Sequence, residues 1–177
     1  MNAVKTFIAI AAIGVAGWLV YDVWQQRQTA GLNNRAMDLI GQSKFAEARD
    51  LLEQARRRSP GNAVIWKNLG AAYEGLKEIP KAIEAYEQSL AINSAQTDLR
   101  DNVAILKGAV ENEKKKAAKL QAELTDKPND AQLLARIGAT YENLDEFSRA
   151  IEMYEKSLKL DPNQADVRAR LDALKKK

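Results

Sequence analysis

A repeat of 34 residues is the feature that most restricts how this chain can fold. Pro60, Pro128 and Pro162 lie 68 and 34 residues apart, and Ser94 stands at the one position of this frame that lacks a proline. Self-similarity at a fixed period of roughly 20 to 50 residues is typical of chains that stack one small structural unit several times. The frame divides the chain into blocks 29–62, 63–96, 97–130 and 131–164, followed by a tail, 165–177.

Two of these blocks align residue for residue. AVIWKNLGAAYEGLKEIPKAIEAYEQSLAINS (63–94) and AQLLARIGATYENLDEFSRAIEMYEKSLKLDP (131–162) share the pairs Gly70/Gly138, Tyr73/Tyr141, Ala82/Ala150, Ile83/Ile151, Tyr86/Tyr154 and Leu90/Leu158. The small residues allow two antiparallel helices to approach closely, and the large residues at helical spacing fill the space around that contact.

The spacing also identifies a family. In block 63–96 the order W-x2-L-G-x2-Y…A…Y…L is made by Trp66, Leu69, Gly70, Tyr73, Ala82, Tyr86 and Leu90. This order resembles the tetratricopeptide repeat family. The resemblance implies an all-α solenoid of helix pairs whose concave groove, lined by the first helix of each pair, binds proteins.

The first block, 29–62, fits the pattern less literally. It keeps the two small residues, Ala36 and Ala48, but lacks the aromatic pair, and Ser59-Pro60-Gly61-Asn62 makes its final turn. We interpret it as a divergent repeat. No Gly or Pro interrupts the chain between Trp18 and Ala30, so the preceding helix is expected to continue into this repeat.

Block 97–130 departs from the pattern. Lys116 stands where the repeat needs a small residue, and nothing between Ala104 and Thr125 resembles a turn. We therefore predict one long helix over roughly 97–125; the alternative is a distorted repeat that keeps the solenoid continuous. Its start resembles the tail 165–177, a predicted cover helix, and Leu99, Val103 and Leu106 should face inward as do Val167, Leu171 and Leu174.

The amino-terminal segment TFIAIAAIGVAGWLVY carries no charge over residues 6–21. With the residues up to Trp24 it would make a helix of about 28 Å, close to the hydrocarbon thickness of about 30 Å. The sequence thus predicts a transmembrane signal-anchor, 1–28, with membrane contact through residues 6–24; the alternative is a cleaved signal peptide. Lys5 before the apolar run favours a single-pass membrane protein with a cytoplasmic N-terminus and an extracytoplasmic, periplasmic repeat domain. The opposite orientation is the alternative.

Composition excludes several functions. The chain has no His and no Cys, so Cys or His nucleophiles, a His general base, and Cys/His metal, haem or iron–sulfur sites cannot be built. The net charge of +3 equals the three terminal lysines, which gives little support for a nucleic-acid groove. We expect no enzyme activity, no catalytic or metal site, no cofactor and no small-molecule substrate.

The expected partner-binding surface is the face of the first helices. Its predicted members are Asn33, Asn34, Lys67, Asn68, Arg136 and Asn143, with Met37, Ala71 and Gln132 beside them. Asn side chains can pair with the amides of an extended peptide, although solvated polar positions would look the same. Family members that grip a C-terminal carboxylate use a Lys and an Asn four residues apart in one helix, an Asn in the next, and a Lys and an Arg in the third. Asn68 matches the middle residue, but this chain has Asn33 and Met37 at the first pair and Asp98 and Asn102 at the last, so that mode is rejected.

Two functions follow as expectations. The first is a membrane-anchored protein–protein interaction scaffold, an accessory subunit or assembly factor of a membrane protein complex. The second is a chaperone-like or translocation-associated factor that binds extended polypeptides in the groove. Both have protein partners.

Overall fold

The computed structural model describes the backbone of residues 2–176 and the side chains from Val20 to Lys176. Over that range the chain is all-α, which confirms the predicted fold class. Eight helices follow one another in the described part: α1 Asn2–Gly41, α2 Phe45–Arg58, α3 Ala63–Gly75, α4 Ile79–Ile92, α5 Thr97–Asp126, α6 Ala131–Asn143, α7 Phe147–Leu160 and α8 Ala165–Leu174.

Three tight turns join the helix pairs α1–α2, α3–α4 and α6–α7. Each turn has one residue in the left-handed backbone region: Ser43 at φ 60°, Lys77 at 61° and Asp145 at 58°. The next backbone amide donates to a carbonyl five residues back, as in Glu78 to Tyr73 and Glu146 to Tyr141, both at 2.9 Å. These bonds satisfy carbonyls that the helix end leaves without partners. The same turn therefore recurs at the same position of the 34-residue frame.

Glycine allows the paired helices to approach each other. A Cβ built on Gly138 would lie 2.6 Å from the ring of Tyr154, and one built on Gly70 would overlap the ring of Tyr86. Both rings are almost completely buried. The aligned glycine–tyrosine pairs are therefore one packing contact made twice, between α3 and α4 and again between α6 and α7.

Most of the segment 97–130 is a single helix, α5, which runs from Thr97 to Asp126. The frame position that holds Phe45, Ile79 and Phe147 at the start of the second helix holds Glu113 in α5. The apolar side chains at that position pack against Gly75 of α3, in the case of Phe45, or against the core clusters, in the case of Ile79 and Phe147. A half-buried carboxylate cannot do so without a desolvation cost. Lys116, in place of a buried alanine, removes the second requirement for a close helix pair.

The helix α5 divides the core between two modules. In the first module (residues 29–106) it covers α4 with Leu99, Val103 and Leu106. In the second module (residues 117–174) Ala117 and Leu120 of α5 pack with α6, α7 and α8. Val110 lies between them and contacts both clusters. Val167, Leu171 and Leu174 of α8 are buried and cover α7 on its other side.

The predicted membrane localisation is wrong on the structural evidence. Within the part of the chain that the structure describes, no helix is long and apolar enough to cross a bilayer. From Val20 onward α1 carries Asp22, Arg27, Arg35 and Asp38, charges that are expensive in hydrocarbon. The predicted span 6–24 and the signal-anchor 1–28 fall largely on residues 1–19, whose side chains lie outside the described residues. The prediction of a single-pass membrane protein, in either orientation, is therefore not supported.

Candidate protein-binding groove

A cavity of about 520 Å³ opens between α3 and the start of α5. Its lining combines one cation, one carboxylate, amides, hydroxyls and a few apolar atoms: Lys67, Asn68, Ala71, Tyr86, Ala95, Gln96, Thr97, Asp98, Leu99 and Asn102. Ligand sites usually combine an apolar lining with a few convergent polar groups, which is the composition found here. The cavity lies on the first-helix face predicted as the groove, and it contains Lys67 and Asn68 from that prediction.

A hydrogen-bonded carboxylate connects two residues of the cavity lining. Tyr86 Oη donates to Glu74 Oε2 at 2.8 Å, and Asn102 Nδ2 donates to the same oxygen at 3.5 Å. Burial raises the pKa of the Tyr86 phenol, and the hydrogen bond to the Glu74 carboxylate raises it further. The phenol therefore stays a donor at neutral pH and keeps Glu74 in place.

Two predicted groove residues bond to each other. Asn68 Nδ2 donates to Asn33 Oδ1 at 2.8 Å, which links α3 to α1. Only 6% of Asn68 is exposed, so most of this side chain is unavailable to a partner. The pair therefore acts first as a structural bond between successive repeats.

Asn33 and Asn34 also line a second cavity, again of about 520 Å³, between α1 and the start of α3. Further polar groups come from Gln26, Thr29, Ser59 and Asn62, and the apolar part from Ala30, Val64 and Ile65. Asn62 is the N-cap of α3, and its side chain accepts the amide of Val64 at 3.0 Å. The first two repeats thus present neighbouring polar cavities on the side of their first helices.

The remaining predicted residues lie in the second module. Arg136 and Asn143 are exposed on α6, and Asn143 Nδ2 donates to Glu113 Oε1 of α5 at 3.4 Å. Asn143 lines smaller cavities next to Lys77, separate from those that contain Asn33, Asn34 and Asn68. The six predicted residues therefore do not all line one cavity.

Glu74 and Gln96 belong to the site but were not predicted from the sequence. Gln96 Nε2 donates to Ser89 Oγ at 3.0 Å, and Ser89 Oγ donates to the carbonyl of Ala63 at 2.7 Å. This chain of bonds holds the α4–α5 turn against the start of α3. The signal for both residues was the 68-residue offset, because Glu142 and Gln164 occupy the equivalent positions.

The second module repeats the network with a different third member. Tyr154 Oη donates to Glu142 Oε2 at 2.8 Å, and Arg170 Nη1 donates to that oxygen at 3.1 Å. Gln164 and Ser157 repeat the bonds of Gln96 and Ser89. The two modules are two copies of one construction, and Arg170 stands where the first module has Asn102.

Family models confirm the repeat unit. Two models described as tetratricopeptide repeat match residues 33–97 and 131–164, which together make up more than half of the chain. The chain belongs to the tetratricopeptide repeat family. Its helix pairs are of the kind that makes protein-interaction scaffolds.

The chain is similar to one curated protein over part of its length. The tetratricopeptide repeat domain-containing protein PYG7, chloroplastic, of Arabidopsis thaliana is 31% identical over 91 residues. The match covers 48% of this chain and 30% of that protein. The chain thus spans under a third of its relative's length.

The chain is also similar to solved structures of low sequence identity. MamA from Desulfovibrio magneticus is 17% identical, with 83% of each chain covered and a TM-score of 0.45. The second tetratricopeptide domain of human RPAP3, solved in complex with an HSP70 peptide, is 16% identical. There 86% of this chain and 99% of that one are covered, with a TM-score of 0.39. At these values nothing about the partners of this chain follows.

Proposed function

We propose that the chain is a non-catalytic adaptor that holds a protein partner through the cavity between α3 and α5. The observation that carries the proposal is the cavity itself, about 520 Å³ in volume, in which amide, carboxylate and ammonium groups surround a small apolar floor. Such a surface suits one extended segment of a partner, with backbone amides paired to side-chain amides. As an adaptor the chain would serve as an accessory subunit or assembly factor of a larger complex.

The second cavity favours a related candidate function. Gln26, Asn34 and Asn62 present side-chain amides along α1 and the start of α3, and amides can pair with any peptide backbone regardless of its sequence. A surface of this kind suits a chaperone-like factor that binds extended polypeptides transiently. The two functions differ in selectivity, because an adaptor has one stable partner and a chaperone-like factor has many.

Site-specific photo-crosslinking tests the adaptor proposal. A photoreactive phenylalanine analogue replaces Ala71 on the cavity wall or, as a control, the exposed Gln88 of α4, in the full chain expressed in its source organism. The proposal predicts one discrete adduct from position 71 and none from position 88. A broad smear from position 71 would favour the chaperone-like function. Identical adducts from both positions, or no adduct from position 71, would refute groove binding.

A further inference from the structure

In the second module, Arg170 occupies the position that corresponds to the cavity of the first module. In the second module the Glu142 carboxylate accepts hydrogen bonds from the phenol of Tyr154 and the guanidinium of Arg170. In the first module the equivalent carboxylate, Glu74, accepts hydrogen bonds from the phenol of Tyr86 and from the shorter, neutral side chain of Asn102. The two sites therefore share two members and differ in whether a cation is supplied by the chain itself.

The site in the first module lacks the stronger donor. The bond from Asn102 Nδ2 to Glu74 Oε2 is 3.5 Å long, against 3.1 Å for the bond from Arg170 to Glu142. Both bonds end on a carboxylate, but the guanidinium of Arg170 adds an ionic attraction that the neutral amide of Asn102 lacks. Glu74 is thus the carboxylate with the weaker partner, and its Asn102 contact is easily displaced.

The hydrogen-bonded network around Glu74 borders an open cavity. Asn102 and Tyr86, both bonded to Glu74, line the 520 Å³ cavity on the α3–α5 face. A second carboxylate, Asp98, stands one helical turn before Asn102 on the same wall, and Lys67 is the one cation in the lining. Two carboxylates, Glu74 and Asp98, therefore lie at or next to the cavity, against one exposed ammonium group, that of Lys67.

We propose that this cavity is a receptor for an arginine side chain of the partner segment, whose guanidinium binds Glu74 as Arg170 binds Glu142. The proposal rests on the adaptor function and specifies its partner, which carries an arginine within the extended segment. The planar guanidinium has five N–H donors, so it can bond to Glu74 and also to Asp98 or to the side-chain oxygen, Oδ1, of Asn102. A partner glutamate at this position would meet two like charges.

A small probe tests the chemistry directly. Nα-acetyl-arginine methylamide is titrated into the ¹⁵N-labelled full chain, with the citrulline analogue as the uncharged isostere. We expect the side-chain amide signals of Asn102 and Asn68 to shift with arginine, and about tenfold weaker binding of citrulline because its neutral ureido group forms no ion pair with Glu74. Equal shifts with both probes, or no shift with arginine, would overturn the proposal.

Four substitutions make the test specific to the site. Asn102→Arg reproduces the residue found in the second module. Its guanidinium should fill the cavity and abolish probe binding, and the chain should unfold at a higher urea concentration. Asn102→Ala leaves the cavity open and keeps binding, while Glu74→Gln weakens it by about tenfold or more. Arg170→Asn should create a second arginine site in the second module, detected as new shifts on α6.

The outcomes separate this proposal from the adaptor function. If the partner crosslinks to position 71 while Asn102→Arg and Glu74→Gln leave its affinity unchanged, the adaptor function stands and the arginine receptor is refuted. If arginine binds the wild-type chain but position 71 captures no partner, the cavity chemistry stands and the adaptor function falls. Arginine binding that survives Asn102→Arg contradicts the assigned position.

Discussion

At the scale of single residues, the fold depends on tyrosine rings that lie directly on glycine. Tyr154 is 1% exposed and its ring covers Gly138, while Tyr86 covers Gly70 in the same way. Each phenol then reaches a carboxylate at the end of the facing helix, so one side chain supplies both the packing and the polar contact. These positions tolerate little change, because a methyl group on the glycine has no space.

The glycine contact gives a matched pair of substitutions. Gly138→Ala would place its Cβ against the Tyr154 ring and should lower the free energy of unfolding by about 1–3 kcal/mol through overpacking. Gly108→Ala, in the middle of α5 with no atom within 4 Å of its Cβ, should raise it by about 0.5–1 kcal/mol through helix propensity. Urea unfolding followed by circular dichroism measures both. Equal effects of the two changes would contradict the packing assignment.

Tyr73 predicts how stability depends on alkaline pH. Burial, together with the Glu53 carboxylate that accepts its hydrogen bond at 3.1 Å, raises the pKa of Tyr73 to about 12. The unfolded phenol has a pKa of about 10, so the native state holds this proton more tightly. Its contribution is therefore complete below about pH 10 and is lost as the pH rises towards 12.

The measurement for Tyr73 is a difference between two chains. Wild type and Tyr73→Phe are unfolded in urea at several pH values between 9 and 12. We expect wild type to be more stable at pH 9, by about 1 kcal/mol for the hydrogen bond, and the difference to shrink as the phenol ionises. A difference that grows with pH would show that the fold favours the ionised form.

At the scale of helices, α5 is the element that departs from the repeat. Its first half covers the first module, its second half belongs to the second module, and its middle is exposed on most faces. The absence of a turn can be predicted from the lack of any turn-like segment between Ala104 and Thr125, and Lys116 argues against a close helix pair. A further reason for the missing turn is Glu113, which stands where the other blocks have an apolar residue. This becomes visible only when the turns around Ser43, Lys77 and Asp145 are superimposed.

Neighbouring residues of α5 should respond very differently to truncation. Leu106 is 9% exposed and packs on α4, whereas Ile105, next to it, is 71% exposed. Leu106→Ala should destabilise the chain by about 2–4 kcal/mol through a lost apolar contact and a cavity. Ile105→Ala should change stability by less than about 0.5 kcal/mol. Thermal unfolding of the two variants checks this, and a large effect at Ile105 would mean that the outer face of α5 is covered.

At the scale of the whole molecule, the sequence pattern predicts the helix pairs but not the division of the groove. The repeat frame places Asn33, Asn68 and Arg136 on equivalent faces of their repeats, which suggested one continuous surface. The uninterrupted α5 has no turn within the third block and therefore forms no helix pair there, so Arg136 and Asn143 have different neighbours from Asn33 and Asn68. Whether two Asn side chains bond to each other or to a partner depends on helix packing, which no spacing rule supplies.

The apolar amino-terminal run shows the limit of composition as evidence. Residues 6–21 lack charge, which predicted a membrane span, yet no helix within the described part of the chain qualifies as one. Hydropathy describes a segment without its surroundings, and the continuous helix α1 carries charged residues from Asp22 onward.

The most direct test of the account is the affinity of the purified full chain for the partner captured at position 71. Calorimetric titration compares wild type with Ala71→Trp, which fills the α3–α5 cavity, and with Gln88→Trp, an equal change on the exposed face of α4. The account predicts that Ala71→Trp binds at least about tenfold more weakly, as for the loss of a central interface contact, and that Gln88→Trp binds like wild type. Wild-type affinity in Ala71→Trp would contradict binding through this groove.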